Sequence, residues 1–181
     1  NAPPRVVANT IIQLKTALLT IRSDMLLIVS PECVVIMQEV LTVPDADTGS
    51  GYYNYFVNII KLADAYIDYY QPQAYNNWYE MPSGSLEYIQ DVYLNWRNFK
   101  GLCPWGSDPI PNFTGVAGEK LVMGILGSLD AGGSAYYYTP DVITAFRAWL
   151  IENNYPLAGF MVWDSNWDHL NGNAMSTACT Q

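Results

Sequence analysis

The 181 residues are 50% apolar, 14% aromatic and 14% charged, a composition that excludes an unfolded chain, a collagen-like repeat and a coiled coil. Seventeen carboxylates against eight Lys and Arg leave a net charge of −9, so clustered cations are lacking, and neither nucleic acid nor an anionic membrane surface is an expected partner. The chain has the length of one domain with a sizeable core, and no apolar stretch reaches the roughly 18–20 residues that span a bilayer.

The apolar positions Val7, Ile11, Leu14, Leu18 and Ile21 follow Pro3-Pro4 at helical spacing and predict a helix ending near Arg22. Met25 to Val29 is apolar at every residue, the pattern of a strand buried on both faces. Pro44 to Gly51 reads as a loop, and Tyr53, Phe56, Val57, Ile60 and Leu62-Ala63 restore the helical period. A second strand is expected over Ala65 to Gln73, followed by an aromatic and polar loop from Gln73 to Tyr79. Ser83 or Ser85, with Glu87 behind, offers the cap of a helix running through Trp96 and Phe99 to Gly101. Cys103 to Gly118, rich in Pro and Gly, is irregular. Leu121 to Leu126 is a third strand, Thr139-Pro140-Asp141 caps a helix that runs to Asn153, and Gly159 to Trp163 is the fourth strand.

Strict alternation of helices with apolar strands implies a parallel sheet covered by helices, as a doubly wound sheet or as part of a (β/α)8 barrel. No G-x-G-x-x-G or G-x-x-x-x-G-K-[ST] follows a strand, which argues against a bound nucleotide. Each strand instead exits into polar or aromatic residues: Glu32, then Gln73, Tyr75 and Asn76, then Gly127 to Gly133, then Trp163 and Asp164. Barrel active sites are assembled at the carboxyl ends of strands, so this distribution favours the barrel. Cys33, Cys103 and Cys179 are far apart and His169 is the single histidine, so no metal site and no cofactor are expected, and Cys33 reads as a buried free thiol. The start at Asn1, without Met, reads as a processed product or a piece of something longer.

Leu27-Ile28-Val29-Ser30-Pro31-Glu32, Tyr70-Gln71-Pro72-Gln73-Ala74-Tyr75-Asn76 and Gly159-Phe160-Met161-Val162-Trp163-Asp164-Ser165-Asn166-Trp167-Asp168 resemble the fifth, sixth and eighth strands of the chitinase-type glycoside hydrolases, family 18, and Lys120 to Gly127 more weakly resembles the seventh. The resemblance implies that residues 1–181 are one partial domain, the carboxy-terminal half of a TIM barrel from helix 4 through strand 8. The family's Asp-x-x-Asp-x-Asp-x-Glu motif, which supplies the general acid, does not occur in the sequence.

What the family implies is a secreted chitinase acting by substrate-assisted retaining hydrolysis, in which the sugar's own 2-acetamido oxygen is the nucleophile. In that mechanism Tyr75 donates to the acetamido oxygen, Gln73 contacts the same group, and Glu32 lines the cleft or positions the acetamido group. Trp163 is the floor under the ring, with Asn76, Trp78, Asp164 and Trp167 as further sugar-binding residues. Ala74 replaces the family's usual Met beside Tyr75. The expected partners are chitin or N-acetylglucosamine oligosaccharides, together with the missing amino-terminal half of the barrel or another chain covering its open edges. A non-catalytic carbohydrate-binding or structural subunit and an endo-β-N-acetylglucosaminidase are the competing readings.

Independently of family, flat aromatics beside Gln and Asn suit a polymer with apolar pyranose faces and hydroxyl rims. Plainer roles are open for single residues. Tyr75 and Trp163 also fit a core, Asp164 and Asp168 fit loop hydrogen bonding, and Tyr136-Tyr137-Tyr138 fits either a sugar-stacking edge or a packed loop. Asn112-Phe113-Thr114 is a glycosylation sequon.

Overall fold

The computed structural model describes residues 2–36, 45–48, 54–77, 84–99 and 113–180. Helix α1 (Pro4–Ile21) starts on a proline in its first turn, where the missing N–H costs nothing. It leads into β1 (Ile28–Val29), followed by a 3₁₀ turn at Cys33–Val35. Helix α2 (Tyr55–Ala63) and a second 3₁₀ turn precede β2 (Tyr69–Tyr70). Helix α3 (Leu86–Asn98) is capped by Ser85, whose hydroxyl accepts from the Tyr88 amide at 3.1 Å. Strand β3 (Val122–Leu126), α4 (Pro140–Glu152, capped by Thr139) and β4 (Gly159–Trp163) follow, and the chain ends in α5 (Ser165–Leu170) and α6 (Ala174–Thr180).

Among the described residues all strand pairings are parallel. β1 pairs with β2 through Ile28↔Tyr69 and Val29↔Tyr70, the bridges Tyr70↔Leu121 and Gln73↔Gly124 join β2 to β3, and β3 pairs with β4 from Val122↔Gly159 to Leu126↔Trp163. The order is therefore β1-β2-β3-β4, each strand reached through a helix, which is the α/β class expected. β1 and β4 are the edges, each with one neighbour among the described residues.

The core lies between the sheet and α2, α3 and α4. Helix α3 is its keystone: Tyr88, Ile89, Tyr93 and Trp96 have no exposed surface, and each such side chain contributes about 1.5–3 kcal/mol by leaving water. Trp96 also donates its indole N–H to the Cys33 carbonyl at 3.0 Å, tying α3 to the turn behind β1. Cys33 is buried with a free thiol, as expected.

Two lysines anchor the amino-terminal ends of the first strands. The Lys15 ammonium, on α1, reaches the Met25 carbonyl and the Asp68 carboxylate, both at 2.6 Å, and the same carboxylate accepts from the Leu27 amide. Lys120 donates to the Asp64 carbonyl at 2.7 Å and to its carboxylate at 3.0 Å, which also accepts from the Tyr70 hydroxyl.

The first two expected strands are longer than those observed, and the first is less deeply buried than its apolar run implies. Residues 64–66 form a 3₁₀ turn rather than strand, because the ladder begins only where Tyr69 meets Ile28. β1 is buried on one face, with Leu26 and Ile28 57% and 44% exposed while Leu27 is 9% exposed, since no strand lies on its outer side among the described residues. The stripe on α1 is likewise half covered: Ile11 is buried, but Leu14 and Ile21 face solvent. Residues 37–44, 49–53 and 100–112, with much of the two loops placed there and Asn112 of the sequon, lie outside the described residues.

Candidate active site at the carboxyl ends of the strands

Residues in register on neighbouring parallel strands project to the same side of the sheet, and alternate residues along a strand share a face. Glu32↔Gln73, Gln73↔Gly124 and Gly124↔Met161 therefore form one row across the whole sheet. Trp163, two residues past Met161, is on the same face, and Tyr75 stands two residues past Gln73. This is the face on which Leu26 and Ile28 are exposed, away from the helices.

The row has a gap at its centre. A Cβ on Gly124 would lie 3.2 Å from the Met161 terminal methyl and 3.3 Å from the Gln73 Cα, so the methionine side chain leans over the glycine toward β2. Met161 is thus a rim-facing residue that composition alone did not single out; strand register identifies it.

The Gln73 side chain is fixed by donation from Nε2 to the Ser30 carbonyl at 2.9 Å, and the Ser30 hydroxyl bonds Gln71 Oε1 at 2.7 Å. That bond uses one of the two Nε2 protons, and Oε1 is left as an acceptor for a ligand. Tyr75 is 6% exposed, and burial raises its phenol above the usual tyrosine range, which keeps it a neutral O–H donor. No described residue accepts a hydrogen bond from that hydroxyl. Trp163 is 51% exposed, an uncovered ring at the end of an edge strand. Glu32 is solvent-exposed on the opposite edge strand rather than enclosed, because β1 has no outer neighbour among the described residues.

Other expected site residues serve mainly to hold the rim together. Asn76 adopts the left-handed conformation (φ 56°), and its Oδ1 accepts from the Gly133 amide at 2.8 Å, pinning the loop after β3 to the loop after β2. Asp164 Oδ1 caps α5 by accepting from the Asn166 and Trp167 amides at 2.9 and 3.2 Å, and Trp167 is half-buried in that helix. The peptide between Trp163 and Asp164 is cis. Asp168, one turn on, is buried and caps α6. Trp78 lies outside the described residues.

The tyrosine triplet resolves in favour of packing for two members. Tyr138 is fully buried and donates to the Ala74 carbonyl at 2.8 Å, and the Tyr137 hydroxyl accepts from Asn171 at 3.1 Å. Among the described residues no cluster of three or more His, Cys, Asp and Glu side chains suits a metal ion, and no helix is long and apolar enough to cross a membrane.

No family model matches the chain. It is 27% identical over 137 residues to a chitinase of Enterococcus faecalis, a match that takes in 69% of this chain and 36% of that protein. Among solved structures it superposes on a GH18 chitinase from Pseudoalteromonas aurantia with a TM-score of 0.63 at 23% identity, covering 94% of this chain and 52% of that one. It also superposes on a xylanase and alpha-amylase inhibitor protein from Scadoxus multiflorus (TM-score 0.55, 20% identity, 96% and 50% covered). The chain thus spans about half the length of these solved structures and about a third of the curated relative. In sequence the chain is thus similar to a chitinase, and in fold to GH18 chitinases.

Proposed function

Starting from kinship with the chitinase-type family 18 glycoside hydrolases, we propose that these residues are the carboxy-terminal half of a chitinase barrel, contributing the acetamido-binding side of the cleft. The observation that carries this reading is the single row Glu32–Gln73–Gly124–Met161 with Trp163 beyond it, all on the sheet face that the helices leave open. The two edge strands and the half-uncovered α1 support completion by an amino-terminal half, because an open parallel sheet leaves its outer backbone groups unpaired.

The chemistry follows from the donors present. An N-acetylated pyranose stacks its apolar face on Trp163. Tyr75 donates to the acetamido oxygen while Gln73 Oε1 accepts from the acetamido N–H, so the amide is held from both ends. That oxygen attacks the anomeric carbon as the glycosidic C–O bond breaks, and a general acid gives its proton to the departing oxygen. Water then opens the cyclic intermediate and restores the acetamido group. The acid comes from the complementing half, since its motif is absent from these residues. Glu32 adds negative charge near the positive intermediate, and the net charge of −9 does not oppose a neutral substrate.

A non-catalytic sugar-binding protein is the second reading. It is favoured by the missing acid motif and by the occurrence of the same fold in a protein named as an inhibitor. The full-length protein, assayed on N-acetylchitohexaose with product analysis, separates the two. Retained-configuration products that Trp163→Ala reduces by about tenfold or more are expected. Tight binding without turnover establishes the second reading, and no binding of any N-acetylated oligomer overturns both.

A further inference from the structure

Asn77 immediately follows the segment that resembles the family motif, and the structure gives it a demanding position. Its side chain is 4% exposed, and Nδ2 donates to the carbonyls of Gln73 at 2.8 Å and Tyr75 at 2.5 Å. Both contacts are to acceptors, so the nitrogen end of the amide must face them, and both its protons are used. From the other side, the fully buried Tyr138 hydroxyl donates to the carbonyl between them, that of Ala74, at 2.8 Å. Three successive carbonyls are thus held by side-chain donors alone or nearly so, just where the last strand bridge, Gln73↔Gly124, gives out and Asn76 turns the chain into the left-handed region.

The backbone on either side of Tyr75 has two further holds, the Ala74 amide donating to the Gly124 carbonyl at 3.0 Å and the Asn76 side chain accepting from the Gly133 amide at 2.8 Å, but among the described residues only Asn77 engages the Tyr75 carbonyl itself. A small rotation of the 74–75 peptide carries the phenol out of line with Gln73. Geometry at this scale decides recognition, because a misplacement of about 1 Å costs on the order of 100-fold where groups must align.

We propose that Asn77 is a positioning residue for acetamido recognition, assisted by Tyr138: together they lock Gln73 and Tyr75 so that both side chains address one N-acetyl group. This rests on the acetamido-cleft reading above. Asn77 touches no sugar; it acts through the two residues that do.

The test is a binding preference, which a merely structural role does not move. Affinity of the full-length protein for N-acetylchitohexaose and for its fully deacetylated counterpart is measured by titration calorimetry at fixed ionic strength, and the ratio is compared among variants. Wild type favours the acetylated oligomer. Asn77→Asp, isosteric but placing an oxygen against both carbonyls, is expected to lower that ratio about tenfold, equivalent to about 1.4 kcal/mol. Tyr138→Phe, which removes only the hydroxyl on Ala74, lowers it by a smaller factor and carries the test if Asn77→Asp fails to fold. Leu150→Ala, a buried truncation on α4, is expected to reduce stability and leave the ratio unchanged. Ratios equal to wild type in both rim variants overturn the inference while leaving the cleft reading intact. A wild-type protein that binds the sugar without any acetyl preference overturns the cleft reading, and this inference with it.

Discussion

Removing the Asp168 carboxylate tests how the chain's last two helices are held. The side chain is 2% exposed; one oxygen accepts from the Met175 amide at 2.9 Å, and the other accepts from the Ser176 amide at 3.1 Å and from the Ser176 hydroxyl. These amides are in the first turn of α6, whose Met175 and Ala178 are buried in the core. A buried hydrogen bond to a charged group is worth about 1.5–3 kcal/mol, and loss of a helix cap typically about 1 kcal/mol. The bonds share one carboxylate and are not additive, so Asp168→Ala is expected to cost ~3 kcal/mol. At about 2–4 °C per kcal/mol for a domain of this size, the melting temperature falls by ~6–12 °C. Asp168→Asn keeps one acceptor and gives roughly half the loss. Urea unfolding followed by circular dichroism, with an unchanged slope, measures both. A loss below about 1 kcal/mol for Asp168→Ala refutes the claim that this carboxylate holds α6 in place.

Two further outcomes follow from the anchors and the core. Burial opposes ionisation of Asp68, but the Leu27 amide and the Lys15 ammonium outweigh it and hold its carboxyl below the usual value. Its stabilisation is therefore full above the unfolded value of about 3.9 and lost as pH falls through the lower folded value. Urea midpoints measured from pH 6 to 3 should fall more steeply for wild type than for Asp68→Asn, and parallel curves contradict the assignment. Burial, partly offset by the Tyr88 hydroxyl, pushes the Cys33 thiol up to about 12, so it is expected to resist alkylation by iodoacetamide in the native protein and to react on unfolding. Peptide mapping by mass spectrometry reads this directly, and rapid native labelling at Cys33 shows the core to be open.

The first four helices are legible because their signals are local. Ser85 and Thr139 both cap as read, and Gly159 to Trp163 matches β4 throughout. Strand lengths were not legible, since an apolar run such as Met25 to Val29 does not state how many of its residues find a partner; the pairing starts only at Ile28. One-sided burial of β1 was missed for the same reason, as apolar residues read alike whether a neighbour covers them or not. Lys15 stood unnoticed in the stripe of α1, although it is buried, because its partners are the Met25 carbonyl and Asp68, 53 residues away. The short final helices were missed, though Asp164 and Asp168 are good cap residues in front of them. For the candidate site, Gln73, Tyr75, Asn77 and Trp163 are readable as residue types at or just past strand ends. That Met161 shares their row and that Asn77 bonds the Gln73 and Tyr75 carbonyls are not, because one depends on register and the other on the local turn of the backbone.

The two lysine anchors sit at the feet of β1, β2 and β3, while the candidate site residues stand at the opposite tips. Stiffness and chemistry are thereby segregated along the length of the staves. Evolution, or a designer, is free to rewrite the tips without disturbing the footing, so what the rim recognises can drift while the foundation stays the same.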